Sequence, residues 1–169
     1  DTANGAGNST VINSSEGVLY FEGKQSLSNV NKHISLSAAS SLNDYISIQL
    51  TLNSIFFQIR TTLNGYTAFS TPNNYSGDFI KVAFKYKDND NSFWINGVEV
   101  GNLNTVTLPF NSPLSTVEFT RNLSPILSFY GKTRQLQVYT TALSNIEIEK
   151  LTSWTSFNAM ANALNYTII

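Results

Sequence analysis

The sequence is poor in the side chains that carry most enzyme chemistry. It contains no cysteine, one histidine and one methionine, and charged residues make up only 12% of its 169 positions. The missing cysteines exclude disulfides, thiolate metal sites and catalysis by a cysteine paired with a histidine. The single histidine excludes a multi-histidine zinc site, and a Ser-His-Asp triad would have to use His33. No signature of such a triad is present.

Charge and hydropathy also do not identify a binding partner. The ten lysines and arginines are scattered and the formal net charge is −1, so no basic stripe predicts a nucleic-acid partner. No apolar run reaches the roughly 18 residues of a membrane-spanning helix, and no signal peptide opens the chain, so we expect no membrane insertion. The first residue is Asp1, which leads us to expect a fragment of a longer protein.

The length suits one domain with a two-sheet core. Residues 1–16 are rich in Gly, Asn, Ser and Thr and predict a flexible linker or arm. Residues 17–169 show no second change of composition. We therefore predict a single domain over that range.

The clearest structural pattern runs from Asp78 to Gly101. Apolar residues occupy every second position there, which is typical of a strand with one wet face: Ile80, Val82, Phe84 and Tyr86. A polar turn follows at residues 87–91, and Asn96-Gly97 is the dipeptide favoured where both central turn residues need positive φ. The stretch therefore predicts three consecutive antiparallel strands.

Shorter alternating segments precede and follow this stretch. Strands are predicted at residues 17–23, 32–37, 45–52, 54–63, 66–70 and 131–140, with edge segments at 105–108 and 116–119. Ser144 and Glu147 form a capping box that opens a short helix through Leu151. A second short helix at 154–164 and a terminal strand at 166–169 are also predicted. The pattern predicts an all-β, antiparallel two-sheet sandwich with one or two short C-terminal helices.

Two segments carry a resemblance to a known family. FWINGVEV, at residues 93–100, and FYGKTRQLQVYTTALSNIEIEKL, at 129–151, resemble the signature of laminin-G-like, concanavalin-A-like jelly-roll domains. The resemblance covers roughly the C-terminal half. It implies a binding module, most often for glycans, of the kind found in bacteriophage tail-fibre adhesins and in ancillary domains of polysaccharide-degrading proteins.

Catalytic and metal-binding patterns are weak. The E-x-D-x-x-E strand of sandwich glycosidases is absent, and Gln58-Ile59-Arg60 has arginine where sandwich polysaccharide lyases carry histidine. His33 alternates with Ile34, so we expect a solvent-facing strand residue. Asp88 and Asp90 could offer oxygens to Ca²⁺, but the rest of an EF-hand loop is missing, so we expect a solvated turn and no required cofactor.

The outer strand faces supply the candidate binding residues. Sugars are recognised by aromatic rings that pack on C–H patches and by amide, guanidinium and hydroxyl groups that bind the sugar hydroxyls. The predicted strand parity places six such side chains on outer faces: Trp94, Arg60, Gln58, Tyr45, Gln137 and Tyr139. Trp94 could instead be covered by the C-terminal helix.

Three functional hypotheses remain open from the sequence. The first is a non-catalytic domain that binds a glycan or host cell-surface receptor, as the adhesion part of a bacteriophage virion protein or another extracellular or cell-surface protein. The second is a structural virion or fibre domain that assembles with other proteins, for example as a trimer of the parent fibre. The third is an ancillary carbohydrate-binding module of a polysaccharide-degrading enzyme.

Overall fold

The computed structural model describes residues 11–26, 32–75, 77–121 and 127–153. Within these ranges the chain forms ten strands and one helix. The strands are β1 (Glu16–Gln25), β2 (Lys32–Ala38), β3 (Ser41–Leu50), β4 (Ser54–Thr61), β5 (Gly65–Pro72), β6 (Ile80–Lys87), β7 (Ser92–Ile95), β8 (Val98–Asn102), β9 (Thr116–Glu118) and β10 (Gly131–Tyr139). The helix is α1 (Asn145–Ser153). The predicted second helix and terminal strand lie outside the described residues.

The described strands form two five-stranded sheets. Sheet A has the order β10-β1-β6-β7-β8, and sheet B has the order β5-β4-β3-β2-β9. Every pairing is antiparallel. The prediction of an all-β, two-sheet antiparallel sandwich with a short C-terminal helix is therefore confirmed.

The inward faces of the two sheets meet in one apolar core. Side chains two residues apart lie on the same face of a strand, so each predicted alternation delivers its apolar members inward. Phe57 of sheet B stacks on Phe93 of sheet A with ring centroids 4.6 Å apart. Phe84 meets both rings edge-on, with centroids 5.9 Å from Phe57 and 4.9 Å from Phe93. These buried aromatic pairs join the two sheets at the centre of the sandwich.

The predicted turns of the central stretch are present. Asn96 and Gly97 have φ values of 47° and 85°, as a two-residue hairpin between β7 and β8 requires. The loop between β6 and β7 has Asn89 at φ 57° and Asn91 fully buried. Asn91 donates from Nδ2 to the carbonyls of Leu103 and Val106, so this loop holds the segment after β8. That segment includes residues 105–108, which form no strand.

The chain packs against the sandwich before β1 begins. Ile12 is 1% exposed and belongs to the inter-sheet core. The Asn13 carbonyl accepts a hydrogen bond from the Tyr86 hydroxyl at 2.8 Å, and Ser14 Oγ accepts one from the Leu114 amide. The packed part of the chain therefore includes residues that precede Gly17.

Helix α1 lies on the outer face of sheet A. Its start has the predicted capping box, because Glu147 Oε2 accepts from the Ser144 amide at 2.8 Å and Ser144 Oγ accepts from the Glu147 amide. Near its end, Thr152 Oγ1 accepts from the Gly97 amide at 3.1 Å. The helix shares an apolar cluster with the sheet: Val18, Tyr20, Ala83, Trp94 and Ile148. No helix in the described ranges combines the length and apolarity needed to cross a bilayer.

We predict that Phe93→Ala lowers the free energy of unfolding by about 3–5 kcal/mol, because it leaves a cavity between the stacked rings. Urea denaturation monitored by circular dichroism measures this. Leu63→Ala is the matched control, since Leu63 is 67% exposed, and it should change stability by no more than about 0.5 kcal/mol. Equal effects of the two changes would contradict the described core.

Candidate functional site

The two outer faces of the sandwich divide the six candidate residues. Tyr45, Gln58 and Arg60 lie on the outer face of sheet B, where Tyr45 is paired with Arg60 and Ser47 with Gln58. Trp94, Gln137 and Tyr139 lie on the outer face of sheet A, on strands β7 and β10. The predicted parity is correct for all six, but the sandwich separates them into two groups of three that face in opposite directions. Tyr45 and Gln58 are also buried, at 1% and 2% exposure, because strand parity does not reveal what covers a face.

Trp94 is covered by the helix. Its side chain is 6% exposed, it packs in the cluster with Ile148, and its indole Nε1 donates to Ser92 Oγ at 3.0 Å. Of the two alternatives that the sequence leaves open for Trp94, the structure shows coverage by the C-terminal helix, so Trp94 is not an exposed binding residue. The physical reason is that Val18, Tyr20 and Ala83 beside it make this part of sheet A apolar enough to bind α1.

Gln137 and Tyr139 form a partly exposed strip on β10. The Tyr139 hydroxyl donates to Gln137 Oε1 at 2.5 Å, and Gln137 Nε2 donates to Gln135 Oε1 at 3.3 Å. Burial raises the pKa of Tyr139. The strip is polar and internally hydrogen-bonded, and it borders the apolar cluster beneath α1.

The outer face of sheet B, which we call the polar face, carries a regular grid of polar side chains. Cross-strand pairing aligns the side chains of this face in three rows, two from β9 to β5 and one from β2 to β5, which also include the apolar Phe56 and Ala68. The first row is Thr116, Ser37, Tyr45, Arg60 and Tyr66; the second is Glu118, Ser35, Ser47, Gln58 and Ala68; the third is His33, Gln49, Phe56 and Ser70. Within the first row, Tyr45 and Tyr66 flank Arg60, so aromatic and cationic groups are neighbours.

Arg121 adds a second guanidinium to the polar face. It follows β9 along the chain and reaches across the sheet, with its Cζ 5.9 Å from the centroid of the Tyr45 ring. Its Nη1 donates to Gln58 Oε1 at 3.3 Å. No pattern in the sequence indicates this residue, because it follows a three-residue edge strand in a region rich in proline and turns.

Neither arginine of the polar face has a carboxylate partner among the described residues. The ion pairs among the described residues lie away from the polar face and join Lys85 to Asp90, Lys87 to Glu16 and Arg134 to Glu22. Arg60 and Arg121 are both partly exposed. The face therefore offers two positive charges to solvent.

Tyr66 completes the exposed part of this face and was not among the predicted site residues. Its side chain is 53% exposed, and β5 pairs it with Arg60. Burial of part of the ring raises the pKa of its hydroxyl, Tyr45 adds to that rise, and the Arg121 charge opposes it. The Tyr66 hydroxyl therefore lies close enough to Tyr45 and Arg121 for both to affect its pKa.

His33 lies on the predicted outer side of β2 but is not solvent-facing. It is fully buried, and neither ring nitrogen has a hydrogen-bond partner. Burial lowers the pKa of His33 to about 3, and the Arg121 charge contributes to the shift. The expectation of an exposed histidine is corrected, because strand parity sets the side of the sheet and does not reveal what covers it. His33 is also not hydrogen-bonded to any serine or aspartate, as a triad would require.

The two candidate calcium ligands are occupied by separate structural contacts. An Asp88 oxygen accepts from the Leu108 amide, whereas Asp90 pairs with Lys85 Nζ at 2.6 Å. The described residues contain no group of three or more histidine, aspartate or glutamate side chains placed to hold a metal ion.

Comparison with known proteins gives matches in structure and none in sequence. No protein-family model matches this sequence, and no curated protein matches it significantly. The CBM40 domain of the Ruminococcus gnavus IT-sialidase is similar in structure, with a TM-score of 0.68, 15% sequence identity, and coverage of 83% of this chain and 84% of that one. The same domain has been solved with α2,3-sialyllactose and with α2,6-sialyllactose bound.

Two further matches are parts of larger chains. NanB, solved with Optactamide, matches with a TM-score of 0.69 and 19% identity over 82% of this chain, which spans 24% of NanB. The receptor-binding domain of the botulinum neurotoxin C/D mosaic serotype matches with a TM-score of 0.60 and 12% identity, covering 80% of this chain and 35% of that one. At these identities, the matches establish the β-sandwich fold.

We predict that His33 makes stability fall in acid. Its pKa is about 3 when folded and about 6.5 when unfolded, so the unfolded chain binds the additional proton between these values. The stabilisation is complete above pH 6.5 and is lost as the pH falls towards 3, by up to about 1.4 kcal/mol per pH unit. Urea denaturation at pH 7 and pH 4.5 measures the free energy of unfolding. Between these two pH values the wild type should lose about 2 kcal/mol more of it than His33→Gln. Identical losses would show that His33 is protonated equally in both states.

Proposed function

We propose that this chain is a non-catalytic domain that binds acidic glycans, with sialylated oligosaccharides as the ligand class, on the polar face of sheet B. One observation carries this proposal. The guanidinium groups of Arg60 and Arg121 both lie beside Tyr45, and neither has a carboxylate partner among the described residues. A carboxylate on a sugar would supply the missing partner through charge-assisted hydrogen bonds.

The neighbouring side chains suit the rest of such a ligand. Tyr66 is exposed next to Arg60 and can pack its ring against the C–H face of a sugar ring. The predicted site residues Tyr45, Gln58 and Arg60 belong to this face, whereas the Gln137 and Tyr139 strip faces the other way. We therefore propose that Arg60, Arg121 and Tyr66 contact the glycan, and that the buried Tyr45 and Gln58 pack beside them.

The structural matches support the choice of ligand. The CBM40 domain of the Ruminococcus gnavus sialidase binds both α2,3- and α2,6-sialyllactose. The carboxylate of sialic acid is a negative charge that would attract two arginines to which the described part of the chain offers no carboxylate. We propose the same ligand class for this chain on the basis of its own charges.

The proposal also states that the domain does not catalyse a reaction and that it lies outside the cell or at the cell surface. Breaking a glycosidic bond requires a pair of suitably spaced carboxyl groups, and the one carboxylate of the polar-face grid, Glu118, is bonded to Ser37 Oγ. A glycan ligand implies an extracellular or cell-surface protein. The structural matches favour an ancillary module within a carbohydrate-active enzyme. The bacteriophage virion and the trimeric fibre stay predictions from the laminin-G-like resemblance.

We predict that the protein binds 3′-sialyllactose at least about tenfold more tightly than lactose, because only the former offers a carboxylate to the arginines. Arg60→Ala and Arg121→Ala should each weaken binding of sialyllactose by about 10- to 100-fold. Isothermal titration calorimetry measures both. Arg134→Ala is the control, because Arg134 pairs with Glu22 on sheet A, and it should leave the affinity unchanged. Equal affinity for the two sugars would refute the acidic ligand.

A second prediction separates the two outer faces. Trp94→Phe should lower the free energy of unfolding by about 1–3 kcal/mol, since it removes buried area and the hydrogen bond to Ser92. It should leave the affinity for 3′-sialyllactose within about twofold of the wild type, because Trp94 lies under α1. Loss of binding by a folded variant would instead assign the site to sheet A.

A further inference from the structure

Gln58 is the residue through which Arg121 is attached to the polar face. Its side chain is 2% exposed, and its Oε1 accepts from Arg121 Nη1 at 3.3 Å and from Ser47 Oγ at 3.1 Å. Its Nε2 donates to Gln49 Oε1, so the orientation of the amide is fixed from the opposite side. Both ends of the Gln58 amide are therefore used, and the Oε1 that Arg121 contacts cannot turn away without breaking bonds to Ser47 and Gln49.

The charge of the side chain at position 58 matters more than its shape. A glutamate would fit the same space and bind a guanidinium more strongly than an amide does, through an ion pair. It would also cancel the charge of Arg121 and repel any carboxylate that approached. An amide oxygen holds the guanidinium in place and leaves its full positive charge for a ligand.

The surroundings of Gln58 preserve that charge. No neighbour of Gln58 in the grid is negatively charged, since Ser47 and Gln49 are neutral, the low pKa of His33 keeps the imidazole neutral at physiological pH, and Arg60 is positive. Glu118, the carboxylate of the same row, is three strands away, a backbone separation of about 14 Å at about 4.8 Å per strand. Its Oε1 also accepts a hydrogen bond from Ser37 Oγ.

We infer that Gln58 is a positioning residue that fixes the Arg121 guanidinium without neutralising it, and so sets the preference of the polar face for acidic over neutral glycans. This inference rests on the proposed function for its ligand. Arg121 lies three residues beyond the end of β9, at an isolated backbone bridge, and this backbone pairing alone does not fix where its guanidinium lies. Gln58 and the Tyr45 ring supply that restraint.

The first test needs no glycan. Nuclear magnetic resonance relaxation of the Arg121 side-chain Nε–Hε group should report a restrained guanidinium in the wild type and in Gln58→Glu, and a mobile one in Gln58→Met. Methionine matches the length of glutamine but offers no oxygen to Arg121. Equal mobility of Arg121 in the wild type and in Gln58→Met would overturn the positioning role.

The second test measures binding of 3′-sialyllactose as a function of salt. Gln58→Glu should weaken binding by at least about tenfold and flatten its salt dependence, because the charge of Arg121 is then satisfied within the protein. Gln58→Met should weaken binding several-fold but keep the salt dependence, since the charge remains and only its position is lost. A merely structural role would lower stability in both variants without separating their salt dependences.

The control carries the same change of charge on the other side of the molecule. Gln135→Glu alters an exposed glutamine on the outer face of sheet A and should leave both affinity and salt dependence unchanged. A folded Gln58→Glu protein that binds sialyllactose with the wild-type affinity and salt dependence would overturn the inference. Failure of the wild type to bind sialyllactose, with Arg121 still restrained through Gln58, would instead refute the proposed function and uphold the positioning.

Discussion

The alternation of side chains along β-strands is the constraint on which this structure depends. Neighbouring residues in a strand point to opposite sides of the sheet. When the apolar residues of a strand point into the core, the residues between them therefore lie on an outer face. Phe57, Phe84 and Phe93 meet between the sheets, and this contact fixes the parity of β4, β6 and β7 together. The positions of Gln58, Arg60 and Trp94 follow from it, since each lies next to a core residue in the sequence.

The two outer faces differ because their own side chains differ. On sheet A, Val18, Tyr20, Ala83 and Trp94 provide enough apolar area to bind α1, and the helix buries them. On sheet B, the corresponding positions carry hydroxyl, amide and guanidinium groups, which gain little from contact with an amphipathic helix. The same alternation thus produces one face closed by α1 and another on which Arg60, Arg121 and Tyr66 remain at least partly exposed, although His33, Tyr45 and Gln58 are buried there.

Much of this could be predicted from the sequence, and the failures have a common cause. The hairpin at Asn96-Gly97, the capping box at Ser144 and the parity of His33 and Trp94 are local properties and were predicted correctly. What covers His33 and Trp94 depends on elements distant in the sequence, so alternation alone wrongly predicted an exposed His33 and left the exposure of Trp94 open. Arg121 was missed for the same reason, because only the folded sheet brings it to Gln58 and Tyr45. Local pattern also does not indicate that Gln58 and Gln137 belong to opposite faces.

The outer face of sheet B surrounds two arginines with neutral side chains, Tyr45, Gln58 and Tyr66. The central claim is that acidic glycans bind to this face. A titration of ¹⁵N-labelled protein with 3′-sialyllactose, followed by amide chemical shifts, tests that claim most directly. The account predicts shift changes concentrated at Tyr45, Gln58, Arg60, Tyr66 and Arg121. Changes concentrated instead at Gln137, Tyr139 and α1 would contradict it.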